Sequence, residues 1–88
     1  MKELKIYLSN QSGLHARPAK NFVNMVKEFS AEIAVFYNGK KANGKSLISL
    51  LTLGAESGAD IRVEIDGEDE EMAFTALKEC IEKGLLEE

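Results

Sequence analysis

The apolar residues of this chain change their spacing repeatedly along its length, and those changes restrict the fold more tightly than any other property of the sequence. Leu4, Ile6 and Leu8 alternate with polar neighbours, the period of a strand with one buried face. From Ala16 the period lengthens: Ala19, Phe22, Val23 and Val26 share a helical stripe with Phe29 close to it, which predicts a helix from Ala16 to near Glu28. Between the two, Asn10 to Gly13 reads as a turn. Ile33, Val35 and Tyr37 alternate again and run into Asn38-Gly39, whose tolerance of positive φ marks a hairpin, so that Lys40 to Asn43 becomes the return strand. Ser46 to Leu53 is short and apolar, with Ser46 placed to cap a second helix and Gly54 to stop it. Ile61, Val63 and Ile65 form a fourth alternating strand. Beyond Asp66-Gly67, Asp69 is the expected N-cap of a third helix from about Glu70 to Lys83, with a core stripe of Ala73, Ala76, Leu77, Cys80 and Ile81.

The order is therefore strand, helix, strand, strand, helix, strand, helix. Four half-buried strands need a cover on one face, and the amphipathic first and third helices supply it. The expected fold is α+β: a two-layer, open-faced sandwich in which a four-stranded antiparallel sheet carries helices on one face and water on the other. Phe36 falls on the watery face, with nothing in the sequence to account for it. No linker, repeat or low-complexity stretch interrupts the pattern, so residues 1–88 read as one domain. A chain of 88 residues can build one modest core but not also a deep, dry catalytic chamber, so a functional site is expected at the surface.

Composition removes several function classes. Cys80 is the only cysteine, which leaves no intramolecular disulfide and points to a reducing compartment. One histidine and one cysteine on a helix stripe do not assemble a transition-metal site, and the acidic run from Glu68 to Glu71 lacks calcium-loop spacing, so no metal is expected. Residues 1–8 alternate rather than forming a signal-peptide core, and no later run could span a bilayer, so the expected location is the cytoplasm, without membrane insertion. The net charge of −4 argues against nucleic acid as a partner. It conceals an asymmetry: residues 1–55 hold eight Lys/Arg against three Asp/Glu, and residues 56–88 hold three against twelve. A basic first part can steer the chain toward acidic partner surfaces.

The segment Gly13-Leu14-His15-Ala16-Arg17-Pro18 sits where the first strand hands over to the first helix. A helix start presents unpaired N–H groups and partial positive charge, which favour anions and disfavour a cationic side chain. Arg17 and the titratable His15 stand there regardless. An anion resolves the conflict, and a phosphoryl group is the one this arrangement would hold best, with Arg17 neutralising its oxygens; the alternative is an exposed turn histidine beside an incidental arginine. His15 is the only histidine of the chain, and a neutral imidazole can act as a nucleophile without a separate base. The second helix adds a separate signal: Leu47, Ile48 and Leu51 share one arc and Leu50 and Leu53 another, so a short surface helix either exposes one of them as a docking patch or buries both under flanking loops.

With these residues laid out, the chain resembles HPr, the histidine-containing phosphocarrier family of the bacterial sugar phosphotransferase system, over essentially its whole length. Gly13-Leu14-His15-Ala16-Arg17-Pro18-Ala19 is similar to the family's phosphorylation motif, and Asn43-Gly44-Lys45-Ser46-Leu47 through Thr52-Leu53-Gly54 to its regulatory-serine segment. Gly44 and Ser49 depart from the bulkier residues of that segment. The resemblance implies a monomeric carrier without a cofactor, not itself an enzyme. It implies that enzyme I, charged by phosphoenolpyruvate, phosphorylates Nδ1 of His15, and that enzyme IIA domains receive the group. It implies that Arg17 and the backbone amides of Ala16 and Arg17 stabilise the phosphoryl group, and that partners dock through Leu47, Ile48 and Leu51. It also implies phosphorylation of Ser46 by an HPr kinase/phosphorylase, which slows transfer and recruits a catabolite repressor.

Overall fold

A computed structural model of the protein describes residues 1–9, 13–84 and 86. Residues 10–12, most of the turn expected at Asn10 to Gly13, lie outside them. The elements follow the predicted order: β1 (Lys2–Tyr7), α1 (Ala16–Val26), β2 (Glu32–Tyr37), β3 (Lys40–Asn43), α2 (Leu47–Thr52), β4 (Asp60–Asp66) and α3 (Glu70–Glu82). The four strands form one antiparallel sheet in the order β1-β4-β2-β3, with Leu4 opposite Val63 and Val63 opposite Val35. Because side chains alternate across a strand, this register stacks Ile6, Ile61, Ile33, Val63, Val35, Ile65 and Ala42 on one face. All seven are buried, and Ala19, Phe22 and Val26 of α1, Leu50 of α2 and Ala73 and Leu77 of α3 pack into the same core.

The opposite face carries charge. Lys5, Arg62, Phe36 and Lys41 make a cross-strand row, and the Arg62 guanidinium stacks over the Phe36 ring at 4.5 Å from its centroid. Phe36 thus has a reason that only the strand register reveals: its ring is covered by an arginine held in turn by Glu3 and Glu64, each at 3.3 Å.

Two expectations are corrected in α3. Ala73 and Leu77 are buried, but Ala76, Cys80 and Ile81 are only half-buried, because the helix rests on the β1/β4 side of the sheet along a stripe narrower than its apolar residues. Asp69 occupies the N-cap position without capping its helix. Its carboxylate instead accepts hydrogen bonds from the N–H groups of Ser30 and Ala31, both at 2.8 Å, and so closes the α1–β2 turn against the start of α3. The turn is tight there: a Cβ on Gly67 would stand 2.7 Å from the Cα of Ala31.

The Ser30 N–H, followed by that of Ala31, holds the Asp69 carboxyl below the usual carboxylate range. A pKa lower in the folded than in the unfolded chain contributes stability above the unfolded value and loses it as pH falls through the folded one. Asp69→Ala is therefore expected to lower Tm clearly at pH 7, and the gap from the parent protein should narrow below about pH 4, where the unfolded carboxyl begins to protonate. Thermal melts of both proteins from pH 7 to pH 2 check this, and a gap indifferent to pH would refute it.

Candidate functional site

α1 begins without the side-chain cap that most helices use. His15 is its N-cap residue, extended at φ −93° and ψ −174°, and its ring makes no capping hydrogen bond. No acidic residue stands in the first turn. His15, Ala16 and Arg17 are all exposed, whereas Pro18 and Ala19 turn into the core and anchor the helix start from beneath. Among the described residues, nothing accepts from the N–H groups of Ala16 and Arg17, and the Arg17 guanidinium pairs with no carboxylate. At the positive end of this eleven-residue helix, then, stand an exposed His15, an exposed Arg17 and two amides, none of them engaged by another described residue. Such a cluster can hold a tetrahedral anion on the ring.

The backbone before His15 is set by close approach. Gly13 is buried at φ +69°, and a Cβ there would lie 2.5 Å from the carbonyl oxygen of Ala55 and equally close to the Cα of Glu56. Leu14 then donates its N–H to Ala55 O at 2.9 Å while its side chain enters the core. The loop that follows α2 is in this way fastened beneath the start of α1. The sequence marks Gly13 as part of the turn and of the motif but not its approach to Ala55 and Glu56, since a glycine reports its conformation and not which backbone it touches.

α2 packs on α1 and on β3. Its two arcs separate as expected: Leu50 and Leu53 are buried at 1% and 2% exposure, while Ile48 and Leu51 are exposed at 77% and 40%. Leu47 departs from the expected pattern, being half-buried and packed against the core. Ser46 caps the helix, its Oγ accepting from the Ser49 N–H at 3.3 Å. Ser49, whose hydroxyl accepts the Asn43 N–H at 2.9 Å, ties the helix to the end of β3, and this contact explains a small polar residue at that position. Gly44 is explained as well. Its N–H extends the β2–β3 pairing to Ile33 O at 2.7 Å, and a Cβ would fall 2.5 Å from Cγ2 of Ile33.

Ser46 opens α2, whereas the loop fastened beneath the start of α1 follows the other end of that helix. The site thus has two stations joined by a short apolar helix. Among the described residues no group of three His, Cys, Asp or Glu side chains is placed to hold a metal, and no helix is long and apolar enough to cross a membrane.

Comparison with known proteins supplies an independent line. Residues 2–83 match the family described as the PTS HPr component phosphorylation site. A phosphocarrier protein HPr of Borreliella burgdorferi is 48% identical over 71 residues, spanning 81% of this chain and 83% of that protein. One from Buchnera aphidicola is 42% identical over 77 residues, spanning 88% and 91%. The crystal structure of HPr-C-His from Thermoanaerobacter tengcongensis superposes with a TM-score of 0.90 at 42% identity, covering 100% of this chain and 99% of that one.

Proposed function

Because the chain belongs to the HPr family of phosphocarriers, we propose that it accepts a phosphoryl group on His15 from phosphorylated enzyme I and passes it to enzyme IIA domains of sugar transporters, acting as a cytoplasmic monomer. The observation that carries this reading is the uncapped start of α1, where an exposed His15 ring stands beside an Arg17 that no described residue engages. The neutral ring attacks phosphorus with its Nδ1 lone pair while the proton stays on Nε2. The N–P bond of the donor breaks as the new one forms. Arg17 and the amides of Ala16 and Arg17 meet the phosphoryl oxygens, so the charge that arrives is matched by groups already in place. The protein supplies a relay point; the partners supply the remainder of each active site.

Incubation with phosphoenolpyruvate and enzyme I tests the reading directly. The expected result is one acid-labile, base-stable phosphoryl group per chain, discharged when an enzyme IIA domain is added. Absence of label refutes it.

Ile48 and Leu51 are the proposed docking contacts, with Leu47 supporting them from a half-buried position. An aspartate at Ile48 would place an unpaired charge under a partner, and its desolvation exceeds the ~1.4 kcal/mol that equals a tenfold change. Ile48→Asp is accordingly expected to slow second-order uptake from enzyme I at least tenfold, while the final extent of labelling and Tm stay unchanged. A rate equal to that of the parent would remove Ile48 from the interface.

Ser46 is the proposed regulatory site, acted on by an HPr kinase/phosphorylase and read by a catabolite repressor. Phosphorylation adds roughly −1.5 to −2 charges. The first turn of α2 contains no acidic residue, so the helix itself tolerates the group while the neighbouring docking arc becomes hostile to an acidic partner.

A further inference from the structure

The loop from Gly54 to Gly58 is held on several sides. Ala55 O accepts the Leu14 N–H at 2.9 Å, Glu56 O accepts the Ala59 N–H at 3.0 Å, and the Gly58 N–H donates to Leu8 O at 2.7 Å. Gly54 and Gly58, at φ +67° and +88°, make the bends at its ends. Glu56 comes against the backbone two residues before His15, at the approach that forbids a side chain on Gly13. Its own side chain is exposed and pairs with no described residue. A negative charge is therefore carried on a hydrogen-bonded loop whose backbone abuts the segment leading into His15 and Arg17.

We propose that Glu56 sets the phosphoryl-transfer potential of the site: its carboxylate repels the phosphoryl dianion on His15 and so favours release to the next acceptor. The proposal rests on the phosphocarrier reading above. The step concerned is the same exchange, in which the N–P bond to His15 breaks as the bond to the acceptor's nitrogen forms and the phosphoryl group carries its charge away from Glu56. A carboxylate carried on backbone this close to His15 lies within the Debye length of about 30 Å that holds at low ionic strength, and its repulsion of a dianion in a water-like dielectric corresponds to about a two- to tenfold change in the equilibrium constant. Arg17 opposes this repulsion, so the two residues act as a matched pair of opposite sign on one leaving group.

The test equilibrates the intact protein with a limiting amount of phosphorylated enzyme I at low ionic strength and measures the ratio of phosphorylated carrier to phosphorylated enzyme I. Glu56→Gln is expected to raise that ratio about two- to tenfold, and Glu56→Asp to leave it near the parent value. In about 1 M salt, where the Debye length is about 3 Å, the difference should collapse. An unchanged ratio for Glu56→Gln, or a shift that survives high salt, overturns the proposal. If the parent protein itself takes no label on His15, the carrier reading falls and this proposal with it. A labelled parent with an unmoved Glu56→Gln ratio refutes the role of Glu56 alone.

Discussion

His15→Ala is expected to abolish phosphoryl uptake from phosphoenolpyruvate and enzyme I altogether, with Tm almost unchanged. The two halves of that expectation have separate causes. No other histidine exists in the chain, so nothing can substitute as the nitrogen nucleophile. The ring is exposed and caps nothing, so its removal costs no packing and no hydrogen bond seen among the described residues, and surface changes of this kind stay within about 0.5 kcal/mol. A companion variant sharpens the point. Ser at an N-cap satisfies a first-turn N–H that His15 leaves open, and good caps contribute about 0.5–2 kcal/mol. His15→Ser should therefore raise Tm while being equally dead as an acceptor. Label retained in either variant would move the acceptor elsewhere, and a large fall in Tm would make His15 a structural residue.

Gly13→Ala is expected to have the largest effect on stability of any single methyl added near the site, a loss of about 2–5 kcal/mol. Two penalties combine. An L-residue at φ +69° is strained, and the new Cβ would meet Ala55 O and the Cα and carbonyl carbon of Glu56 at 2.5 Å. These are backbone atoms already fixed by other hydrogen bonds, so no rotamer change relieves the contact. Urea denaturation gives the loss directly. Because the displaced loop lies under His15, uptake of the phosphoryl group should also slow at temperatures where the variant is still folded. Full stability in Gly13→Ala would mean that the two segments separate readily, and would weaken the case that Glu56 is held in place.

Much of this architecture is legible in the sequence because most of its elements are amphipathic with a single period. Ile33 and Val35, and then Ile61, Val63 and Ile65, alternate and are buried, and Phe22 and Val26 lie on the stripe that the helical period marks. His15 and Arg17 are legible for a different reason: they are the wrong residues for a helix start unless an anion visits. What stays hidden is whatever depends on register or on contact between distant segments. Phe36 acquires its arginine only when β2 and β4 are aligned, and Asp69 looks like a cap until its carboxylate is seen reaching Ser30 and Ala31. Cys80 and Ala76 fit an apolar stripe, yet how far a helix sinks into a sheet is set by the sheet beneath it. Glu56 carries no local signature at all, since its importance comes from Gly13, some forty residues earlier.

The sheet order has a consequence for how the chain reaches this state. β1 and β2 do not pair with one another; each pairs with β4, the last strand in the sequence. As the chain leaves the ribosome, the β2–β3 hairpin is the only part of the sheet that can close early, and β1 must wait for residues 60–66 before it has a partner. Non-local pairing of this kind slows folding and leaves strand edges uncovered meanwhile. The helix that follows His15 is made first and seated late, so a nascent chain halted before β4 would display His15 on a segment that has not yet acquired its folded geometry.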